Sequence, residues 1–452
     1  MLPPRHILSK STYMYGIQCH KRLWLYKNNP ELADEITESQ AAIFQVGTDV
    51  GKLAQGLFPY GVDASPAELY LYQQSVADTQ KYIRNGANVI YEAAFQFEGV
   101  MAALDILVKQ NGKWYGFEVK GSTKVKPQFI QDAALQYYVI TGSGLALEDI
   151  SIVHLNNEYV REGELDIQQL FRQQSVLAEV EILQPVVAEE IEELKEMLKQ
   201  KTPPGIAPGD QCFKPYDCPF YTFCTKGMTP EEDEQEPTHI NHKAIRDFVK
   251  QLVYPVHHLD FETWMTAVPE QDGHWPYRQI PFQYSLHIQR KPGAEPEHKS
   301  WLAPGPQATI KEFADALLKD IEPTGTILVY NLAFENTILT QIAEDYPKLA
   351  TKIKAIQSRL VDLMVPFKKN YRLPAMQWSY SIKYVLPALV PGLSYEGMDI
   401  ANGADASAAF YNIKNETDPA KMEATRTALE KYCGLDTLAM VKLLGELMKV
   451  KS

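Results

Sequence analysis

Two pairs of acidic residues, in two different parts of the chain, are spaced so that each pair can hold a divalent metal ion. Asp105 and Glu118 flank a predicted β-hairpin, and Asp260 and Glu262 lie two positions apart on a predicted strand. Carboxylate oxygens are hard ligands that suit Mg²⁺ or Mn²⁺. Metal ions held in this way can promote the cleavage of phosphodiester bonds. The residue types therefore point to metal-dependent hydrolysis in two separate modules.

The first pair is positioned by a hairpin with Asn111-Gly112 at its turn. Asn-Gly is the strongest two-residue hairpin signal, and pairing outward from it puts Asp105 opposite Glu118. At this non-hydrogen-bonded position opposing Cβ atoms lie only about 4.5–5.5 Å apart, so the carboxylates repel each other unless a cation is bound. Strand alternation puts Lys120 on the same face, where it can hold the attacking water or the scissile phosphate. The alternative is a surface hairpin whose acidic pair is screened by Lys120.

The second pair is followed along the chain by a further acid. Asp260 and Glu262 project to the same side of their strand. The apolar strand 327–330 leads into a helix that Asn331 can cap. Glu335 lies in the first turn of that helix.

Tyr432 and Asp436 are four positions apart on the predicted last helix, so one lies above the other. They are candidates to join the acids described above. Taken singly, each of these features is weak evidence. Two acids at alternate strand positions are common on protein surfaces, and Tyr432 can simply pack against Leu435 and Leu443.

Length and composition indicate a globular protein of more than one domain. A chain of 452 residues exceeds one ordinary core, and 45% hydrophobic content excludes general disorder. The net charge of −13 argues against non-specific coating of nucleic acid, but permits an enzyme that grips a short strand. No apolar run reaches the roughly 18–20 residues that span a bilayer, and the first residues do not resemble a secretory signal. A cytoplasmic location without membrane contact is expected.

The acidic stretch that begins at Gly227 contains two prolines and predicts a linker over 227–249. It divides a first module, 1–226, from a second, 250–452, and both modules are predicted to be α/β. The first module is predicted to contain these elements: strands within 88–120 and over 150–155, and helices over 127–140 and 166–199. The second is predicted to contain these: strands at 255–262, 281–290, 298–302 and 327–330, and helices including 310–320 and 420–449.

Four of the five cysteines form a candidate metal-binding set: Cys19, Cys212, Cys218 and Cys224. Four thiolates suit either tetrahedral Zn²⁺ or an iron–sulfur cluster. Structural zinc sites favour cysteine pairs two to four residues apart, and the five-residue gaps here do not fit that habit. A cubane cluster is larger and tolerates wider spacing, and ordinary buried thiols are the remaining alternative. Cys433 is left over and is interpreted as a small residue on the last helix.

Asp105, followed on the next strand by Glu118-x-Lys120, resembles the core motif of the PD-(D/E)XK nucleases. Gln136-Tyr137 on the following helix matches the Gln-x(0–3)-Tyr motif of their RecB-like branch. The resemblance implies a restriction-endonuclease-like domain in which Asp105 and Glu118 bind metal. It also implies that Lys120, Gln136 and Tyr137 belong to the active site.

Two further features of this branch are compared with the chain. An acid often precedes the hairpin, and Glu92 takes that place. A histidine in an early helix usually adds a metal ligand, but the corresponding stretch, 47–55, contains none. Either the metal is held by fewer protein groups or the activity of this module is weakened.

The distant Cys19 with its later trio resembles CRISPR-associated RecB-like exonucleases and AddB-type nucleases. In those proteins an iron–sulfur cluster clasps the two ends of the nuclease domain. The phrase Cys19-His-Lys-Arg-Leu-Trp24 is close to their Cys-Pro-Arg-Lys-Leu-Trp signature. The resemblance implies a structural [4Fe–4S] cluster that does no chemistry on the substrate.

The acids of the second module, in their order, resemble the DEDDy branch of DnaQ-like 3′–5′ exonucleases, which have a ribonuclease-H-like fold. The resemblance implies that four carboxylates hold two divalent ions: Asp260, Glu262, Glu335 and Asp436. It implies that Tyr432 orients the attacking water. Glu335 departs from the family, which usually has aspartate there. The match also includes Asp362 as an accessory acid and the segment 378–384.

The whole chain resembles a bacterial family that joins these two nuclease types. The resemblance implies a DNA exonuclease in repair, end processing or defence, acting on single-stranded DNA, with RNA not excluded. No ATP-binding loop of the Gly-x4-Gly-Lys-Ser/Thr type is present, so any helicase is a separate partner. Two alternatives remain: a nucleic-acid-binding scaffold with one or both sites degenerate, and a sensor in which the redox state of the cluster controls binding.

Overall fold

The protein is described here by a computed structural model that covers residues 6–68, 71–226, 238–377 and 379–450. It divides into two compact units. The first comprises Met1–Met228 together with Thr266–Arg278, and the second comprises Thr229–Met265 together with Gln279–Ser452. Both units contain helices and strands, so the architecture is mixed α/β.

The first unit is built on a seven-stranded sheet with helices packed against it. Its elements are β1 (Leu8–Ser9), α1 (Lys10–Gln18), α2 (His20–Asn28), α3 (Glu38–Ala54), β2 (Val62–Asp63), α4 (Tyr72–Arg84), β3 (Val89–Phe97), β4 (Val100–Gln110), β5 (Lys113–Lys120), α5 (Pro127–Gly142), β6 (Leu147–Leu155), α6 (Ile167–Leu170), β7 (Phe171–Ser175), α7 (Leu177–Met197) and α8 (Tyr221–Thr225).

The sheet of the first unit has the strand order β2-β3-β4-β5-β6-β7, and β1 pairs with β4 off this path. Strands β3, β4 and β5 are antiparallel neighbours, whereas β6 runs parallel to β5. A parallel pair needs a crossover connection, and α5 supplies it. The core between this helix and the sheet includes Leu104, Leu135 and Ile152, which are fully buried.

The hairpin register predicted from the turn residues is confirmed. Asn111 and Gly112 both have positive φ, 51° and 80°, as a type I′ turn requires. Strands β4 and β5 pair Ile106 with Phe117, and this register places the next residue, Asp105, across from Glu118. The turn chemistry thus positions the first acidic pair.

The helix predicted over 166–199 is wrong in its first third. Ile167–Leu170 is a single helical turn, and Phe171–Ser175 is strand β7, which pairs antiparallel with β6. Only Leu177–Met197 forms a long helix. The free edge of β6 offers unpaired backbone groups, and pairing with them outweighs the local helical pattern of the Gln-rich segment.

The second unit is built on a five-stranded sheet and a two-stranded one. Its elements are β8 (His239–Ile240), α9 (His242–Lys250), β9 (Val256–Trp264), β10 (Ile280–Gln289), β11 (Glu297–Leu302), α10 (Ile310–Asp320), β12 (Ile327–Val329), α11 (Leu332–Asp345), α12 (Ala350–Gln357), β13 (Leu360–Asp362), α13 (Met364–Lys369), β14 (Tyr371–Arg372), α14 (Ile382–Leu389), α15 (Gly403–Asn412) and α16 (Pro419–Met448).

The larger sheet of the second unit has the order β11-β10-β9-β12-β13. Strands β9, β10 and β11 are antiparallel neighbours, and β12 runs parallel to both β9 and β13. The four strands predicted in this module are confirmed, as are its helices α10 and α16. The long helix α16 packs against β9 and β10, so it lies beside the strand that carries the second acidic pair.

The predicted linker over 227–249 is only partly within the described chain, since 227–237 lie outside it. The remainder does not form a linker. His239–Ile240 is strand β8, which pairs with β14, and helix α9 follows it. Ile245 of this helix is fully buried in the core of the second unit. Folded structure therefore begins before the predicted boundary at 250.

No helix in the described ranges is both long and apolar enough to cross a membrane.

Candidate functional site

Strand β9 directs Asp260 and Glu262 to the face of the sheet that α16 covers. The thiol of Cys433, on α16, lies 3.6 Å from Asp260 Oδ2. Glu262 is buried and Asp260 is half-buried. Burial raises the pKa of both carboxyls well above their ordinary values, and the charge of Asp436 raises them further. The pair is therefore held in an environment that disfavours its own ionisation.

Asp436 reaches the same cluster from α16. The Tyr395 hydroxyl donates to its Oδ1 at 2.6 Å. Burial raises the pKa of Asp436 to about 6, although the Tyr395 hydrogen bond and the Lys383 ammonium favour the ionised form. Lys383 Nζ donates to the Ala401 carbonyl and lies 5.7 and 5.8 Å from the ring centres of Tyr395 and Tyr432. One cation thus lies at the edge of the acidic cluster.

Glu335 enters the cluster from the first turn of α11. It is 1% exposed, and within the described chain its Oε2 has no hydrogen-bond partner. Burial, with a smaller contribution from Asp362, raises the pKa of Glu335 to about 8. A buried carboxylate oxygen without a partner is costly, so a cation bound there would stabilise the site.

The start of α11 is capped by Asp362, at the end of β13, and not by the side chain of Asn331 as predicted. The Asp362 carboxylate accepts the backbone N–H groups of Asn331 and Leu332 at 3.2 and 3.3 Å. Asn331 takes a left-handed conformation with φ of 83°, and its side chain makes no capping hydrogen bond. The accessory acid therefore positions Glu335 through the helix start.

Tyr432 lies one helical turn before Asp436, as predicted, and its ring is 6.1 Å from that of Tyr395. Burial raises the pKa of the Tyr432 hydroxyl, and the charges of Asp436 and Glu262 raise it further. These influences place the hydroxyl close to the acids. The hydroxyl that contacts Asp436 directly belongs to Tyr395, a residue that no sequence motif indicates.

Cys433 is a member of the acidic site, so its interpretation as a small helix residue is incomplete. In the described ranges, one group of three potential metal ligands has donor atoms that all lie within 4.8 Å of one another: Asp260, Glu262 and Cys433. Burial raises the pKa of the Cys433 thiol well above its ordinary value, and the charge of Asp260 raises it further. The thiol therefore stays protonated and donates a hydrogen bond to Asp260.

The donor set of the second unit fits hard divalent ions. Its four carboxylates and one lysine carry a net charge of −3 when all are ionised: Asp260, Glu262, Glu335, Asp436 and Lys383. Donors that share one octahedral Mg²⁺ lie up to about 4.2 Å apart. Donor oxygens of Asp260 and Glu262 lie within 4.8 Å of each other, so this pair needs only small side-chain movements to reach that spacing.

In the first unit, the carboxylates of Asp105 and Glu118 interact with different partners. Asp105 Oδ2 accepts the backbone N–H of Val119 at 2.6 Å. Burial raises the pKa of Asp105, and the charge of Glu118 raises it further. Glu118 is 1% exposed, and burial alone would raise its pKa, but Lys10 and Lys120 outweigh that effect and lower it. Their ammonium nitrogens lie 2.8 and 2.7 Å from Glu118 Oε1.

Asp132 on α5 completes this ion-pair network. Lys120 Nζ donates to Asp132, and Lys10 Nζ lies 3.9 Å from the same carboxylate oxygen. Gln136, one helical turn on, donates to Asp132 Oδ1 at 3.3 Å, which places this predicted residue at the site. In the described chain, Glu118 Oε2 and Gln136 Oε1 are buried without hydrogen-bond partners. Two oxygens are thus left available to a cation.

Tyr137 occupies a different face of α5 from Gln136, because successive helical residues are rotated by about 100°. Burial raises the pKa of its hydroxyl, and the charge of Glu181 on α7 raises it further. This influence places Tyr137 beside α7. The structure therefore brings Gln136, but not Tyr137, to the acidic network.

The network of the first unit has two more acids than lysines, so one dication would neutralise it. Its charged members are Glu92, Asp105, Glu118, Asp132, Lys10 and Lys120. Glu92 lies on β3 across from Asp105, and burial raises its pKa. Within the described residues, no three of these acids have donor oxygens within 4.8 Å of one another. The lysine ammonium groups lie where the acids would otherwise converge.

The four cysteines predicted as a set all line one cavity of the first unit: Cys19, Cys212, Cys218 and Cys224. Cys19 lies between α1 and α2. The neighbouring Gln18 donates to the carbonyls of Gln211 and Tyr216 at 2.8 and 2.7 Å, which ties α1 to the loop that carries the later cysteines. These hydrogen bonds join parts of the chain that are 193 and 198 positions apart.

The thiols are spaced more widely than a zinc site requires. Tetrahedral ligands at the usual Zn–S distance lie about 3.8 Å apart. No three of the four sulfur atoms, all in the described chain, lie within 4.8 Å of one another. Burial raises the pKa of Cys218, and the thiols of Cys19 and Cys212 also contribute to the rise.

Comparison with known families connects the second unit to one family model. A model described as a domain of unknown function (DUF2779) matches residues 257–381. The match contains Asp260, Glu262, Glu335 and Asp362, and it ends before α16. The comparison with curated proteins finds no match.

Several residues of the two sites were not predicted from the sequence. In the first unit these are Lys10 and Asp132, of which only Asp132 had a usable signal, its helical spacing of four from Gln136. In the second unit, Lys383 belongs to the predicted segment 378–384 but was given no role of its own. Trp378 of that segment lies outside the described residues. Tyr395 had no signal, because it is 41 positions from its partner Asp436.

Proposed function

We propose that the chain is a metal-dependent nuclease whose second unit removes nucleotides from a 3′ end. The observation that carries the proposal is a buried convergence of carboxyls from β9, α11 and α16, each with a raised pKa: Asp260, Glu262, Glu335 and Asp436. Burying like charges together is unfavourable without a counter-ion. A site that gains most from dications is suited to phosphodiester hydrolysis.

The fold of the second unit supports a ribonuclease-H-like domain of the DnaQ type. Its mixed sheet places the Asp-x-Glu pair on the central strand β9, between antiparallel β10 and parallel β12. A helix start and a C-terminal helix then deliver the remaining acids to one face. This is the order in which the DEDDy resemblance places them.

The residues of the second site have separable roles in the proposed reaction. When bound, divalent ions stabilise the entering and leaving oxygens of an in-line displacement. Asp260, Glu262, Glu335 and Asp436 would hold those ions, and the Tyr395 hydroxyl fixes the orientation of Asp436. The Tyr432 hydroxyl, whose raised pKa keeps it protonated, orients the attacking water.

For the first unit we propose a PD-(D/E)XK-like nuclease domain of the RecB type. The support is the Asp105–Glu118 hairpin, the buried Gln136, and the unpartnered oxygen of Glu118. Lys120 bridges Glu118 and Asp132, so its first role is to neutralise the site.

The ion pair between Lys10 and Glu118 favours a second candidate function for the first unit, namely binding of nucleic acid without hydrolysis. The Lys10 ammonium group already neutralises Glu118, at 2.8 Å, and lies 3.9 Å from Asp132. Metal binding by Glu118 would have to displace this ion pair, which weakens the apparent metal affinity. The two functions differ in whether Asp105 is needed for any cleavage.

The cysteine cavity supports a structural [4Fe–4S] cluster in the first unit. The thiol spacing, wider than zinc requires, is the reason for preferring the cluster. Such a cluster would join α1 and α2 to the segment after α7, and so contribute folding energy to the unit.

The proposed substrate is single-stranded DNA, with RNA as the alternative polynucleotide. A separate helicase would supply unwound strands, and the processes served would be repair, end processing or defence. Lys124 and Lys126 lie near the first site in the chain and are candidate phosphate contacts. A cytoplasmic location fits this proposal.

Digestion of end-labelled oligonucleotides in single turnover tests the proposal. Asp260→Asn preserves side-chain shape but removes a metal ligand, and we expect it to abolish stepwise loss from the 3′ end in Mg²⁺ or Mn²⁺. Asp105→Asn reports on the first unit in the same way. The double variant tests whether the two sites cleave independently of each other. Asp247→Ala, on the exposed face of α9, is the matched control and should cleave normally. Wild-type protein that degrades neither DNA nor RNA with either ion would refute the nuclease proposal.

A further inference from the structure

A sulfur donor lies within a site otherwise built from oxygen donors. Cys433 is fully buried on α16, and its Sγ lies 3.6 Å from Asp260 Oδ2 and 4.0 Å from the Asp260 carbonyl oxygen. The donor atoms of Cys433, Asp260 and Glu262 all lie within 4.8 Å of one another. The thiol is therefore within reach of any ion held by both carboxylates.

A second observation shows that the group is open to a ligand. Glu335 is 1% exposed, and in the part of the chain that is described its Oε2 lacks a hydrogen-bond partner. Its charge raises the pKa of both Asp260 and Glu262, so its carboxylate faces the same group. Glu335 therefore lies near these three donors, although its oxygens do not belong to the group whose atoms all lie within 4.8 Å of one another.

We propose that this site has a second binding mode, in which Cys433, Asp260 and Glu262 bind a soft divalent ion of the Zn²⁺ or Cd²⁺ class. Glu335 or a water molecule supplies the fourth ligand. Zinc takes four ligands and accepts both thiolate and carboxylate, at about 2.3 and 2.0–2.2 Å. The mixed donor set of this site matches that preference.

Hard ions leave the sulfur unused. Mg²⁺ requires near-octahedral oxygen ligands and binds thiolate poorly, so Cys433 keeps its proton when Mg²⁺ is present. When a soft ion binds, the thiol loses its proton to solvent. A bond from sulfur to the metal then replaces the hydrogen bond from Cys433 to Asp260. The thiol itself releases one proton for each ion that it binds, and any carboxyl that is protonated before binding releases its own.

The two modes compete for the same carboxylates. A soft ion fixed by Cys433 commits Asp260 and Glu262 to tetrahedral geometry, which removes them from the arrangement that the proposed hydrolysis needs. Binding of the soft ion stands on the donor geometry alone, whereas inhibition by it rests on the proposed nuclease function. The site would then be switched off by traces of a soft metal in a background of Mg²⁺.

Cobalt(II) titration of the full chain tests the binding mode without measuring activity. A thiolate bound to Co²⁺ gives a charge-transfer band in the near ultraviolet. Cys433→Ser keeps the shape and the hydrogen bond to Asp260 but removes the soft donor. The four cysteines of the first unit are present in both proteins, so the difference between the two titrations reports on Cys433.

We expect a difference band that saturates at one equivalent of Co²⁺ and that an excess of Mg²⁺ does not remove. Asp260→Asn should weaken the affinity for Co²⁺ at least tenfold. Identical titrations of wild type and Cys433→Ser would overturn the proposal. If the serine variant does not fold, loss of the band in Asp260→Asn but not in Asp247→Ala carries the same test.

Zinc inhibition separates this proposal from the nuclease proposal. In saturating Mg²⁺, the Zn²⁺ concentration that halves cleavage should rise at least tenfold in Cys433→Ser. A difference band in a protein that cleaves nothing would refute the nuclease function and leave the soft-metal site standing. Cleavage without any difference band would refute the soft-metal site and leave the nuclease function standing.

Discussion

Glu335→Gln should remove one part of the pH dependence of the stability of the metal-free second unit, and the parts due to Asp260, Glu262 and Asp436 should remain. Burial raises the pKa of Glu335 to about 8 in the folded protein, whereas the unfolded chain releases this proton near the ordinary value of 4.5. Between these values the folded state binds more protons, so stability falls as pH rises. The contribution is full below about pH 4.5 and is lost as pH passes 8.

The size of the effect follows from the same pKa. One pKa unit corresponds to about 1.4 kcal/mol, so raising the pH from 5 to 8 should remove about 3.5 kcal/mol of the stability that Glu335 contributes. For a unit of this size, that free energy lowers the melting temperature by about 10 °C.

Differential scanning calorimetry in chelator, from pH 5 to pH 8, measures this fall. The variant should lose several degrees less than the wild type, while Glu344→Gln, on the exposed part of the same helix, should behave as wild type. Saturating Mn²⁺ should restore most of the lost stability at pH 8 and little at pH 5, because the ion binds the ionised acids. Equal losses in wild type and Glu335→Gln, or an equal effect of Mn²⁺ at both pH values, would refute the reasoning.

Three further changes have defined outcomes. Lys10→Met leaves Glu118 buried with one cationic partner and should destabilise the first unit by about 2–3 kcal/mol in chemical denaturation; an unchanged midpoint would show that the ion pair contributes nothing. Tyr395→Phe removes the 2.6 Å hydrogen bond to Asp436 and should weaken Mn²⁺ binding, measured by calorimetry, about tenfold, whereas unchanged affinity would contradict the positioning role. Cys19→Ser should abolish the visible absorbance of anaerobically prepared protein and lower the stability of the first unit; absorbance equal to wild type would contradict ligation by this residue.

The sequence predicted the features that depend on local chemistry. The Asn111-Gly112 turn fixes the pairing of β4 with β5, so the position of Asp105 across from Glu118 followed from two residues. The strand β9 and the helix α16 were likewise predicted close to the bounds that the structure has. The predicted acids of the second unit consequently fall on the elements that the structure brings together.

The features that sequence reasoning missed depend on contacts between distant parts of the chain. Lys10 and Glu118 are 108 positions apart, and no local pattern connects them. Strand β7 forms because the edge of β6 is available, which outweighs a helical pattern. Cys433 was assigned no role because its neighbour, Asp260, is 173 positions away.

The most direct measurement is the anomalous scattering of manganese in crystals of the full chain. We expect a peak between Asp260 and Glu262, with an oxygen of Glu335 or Asp436 among the ligands at about 2.2 Å. A crystal saturated with Mn²⁺ that shows no peak beside these acids, with their side chains turned away from one another, would contradict it.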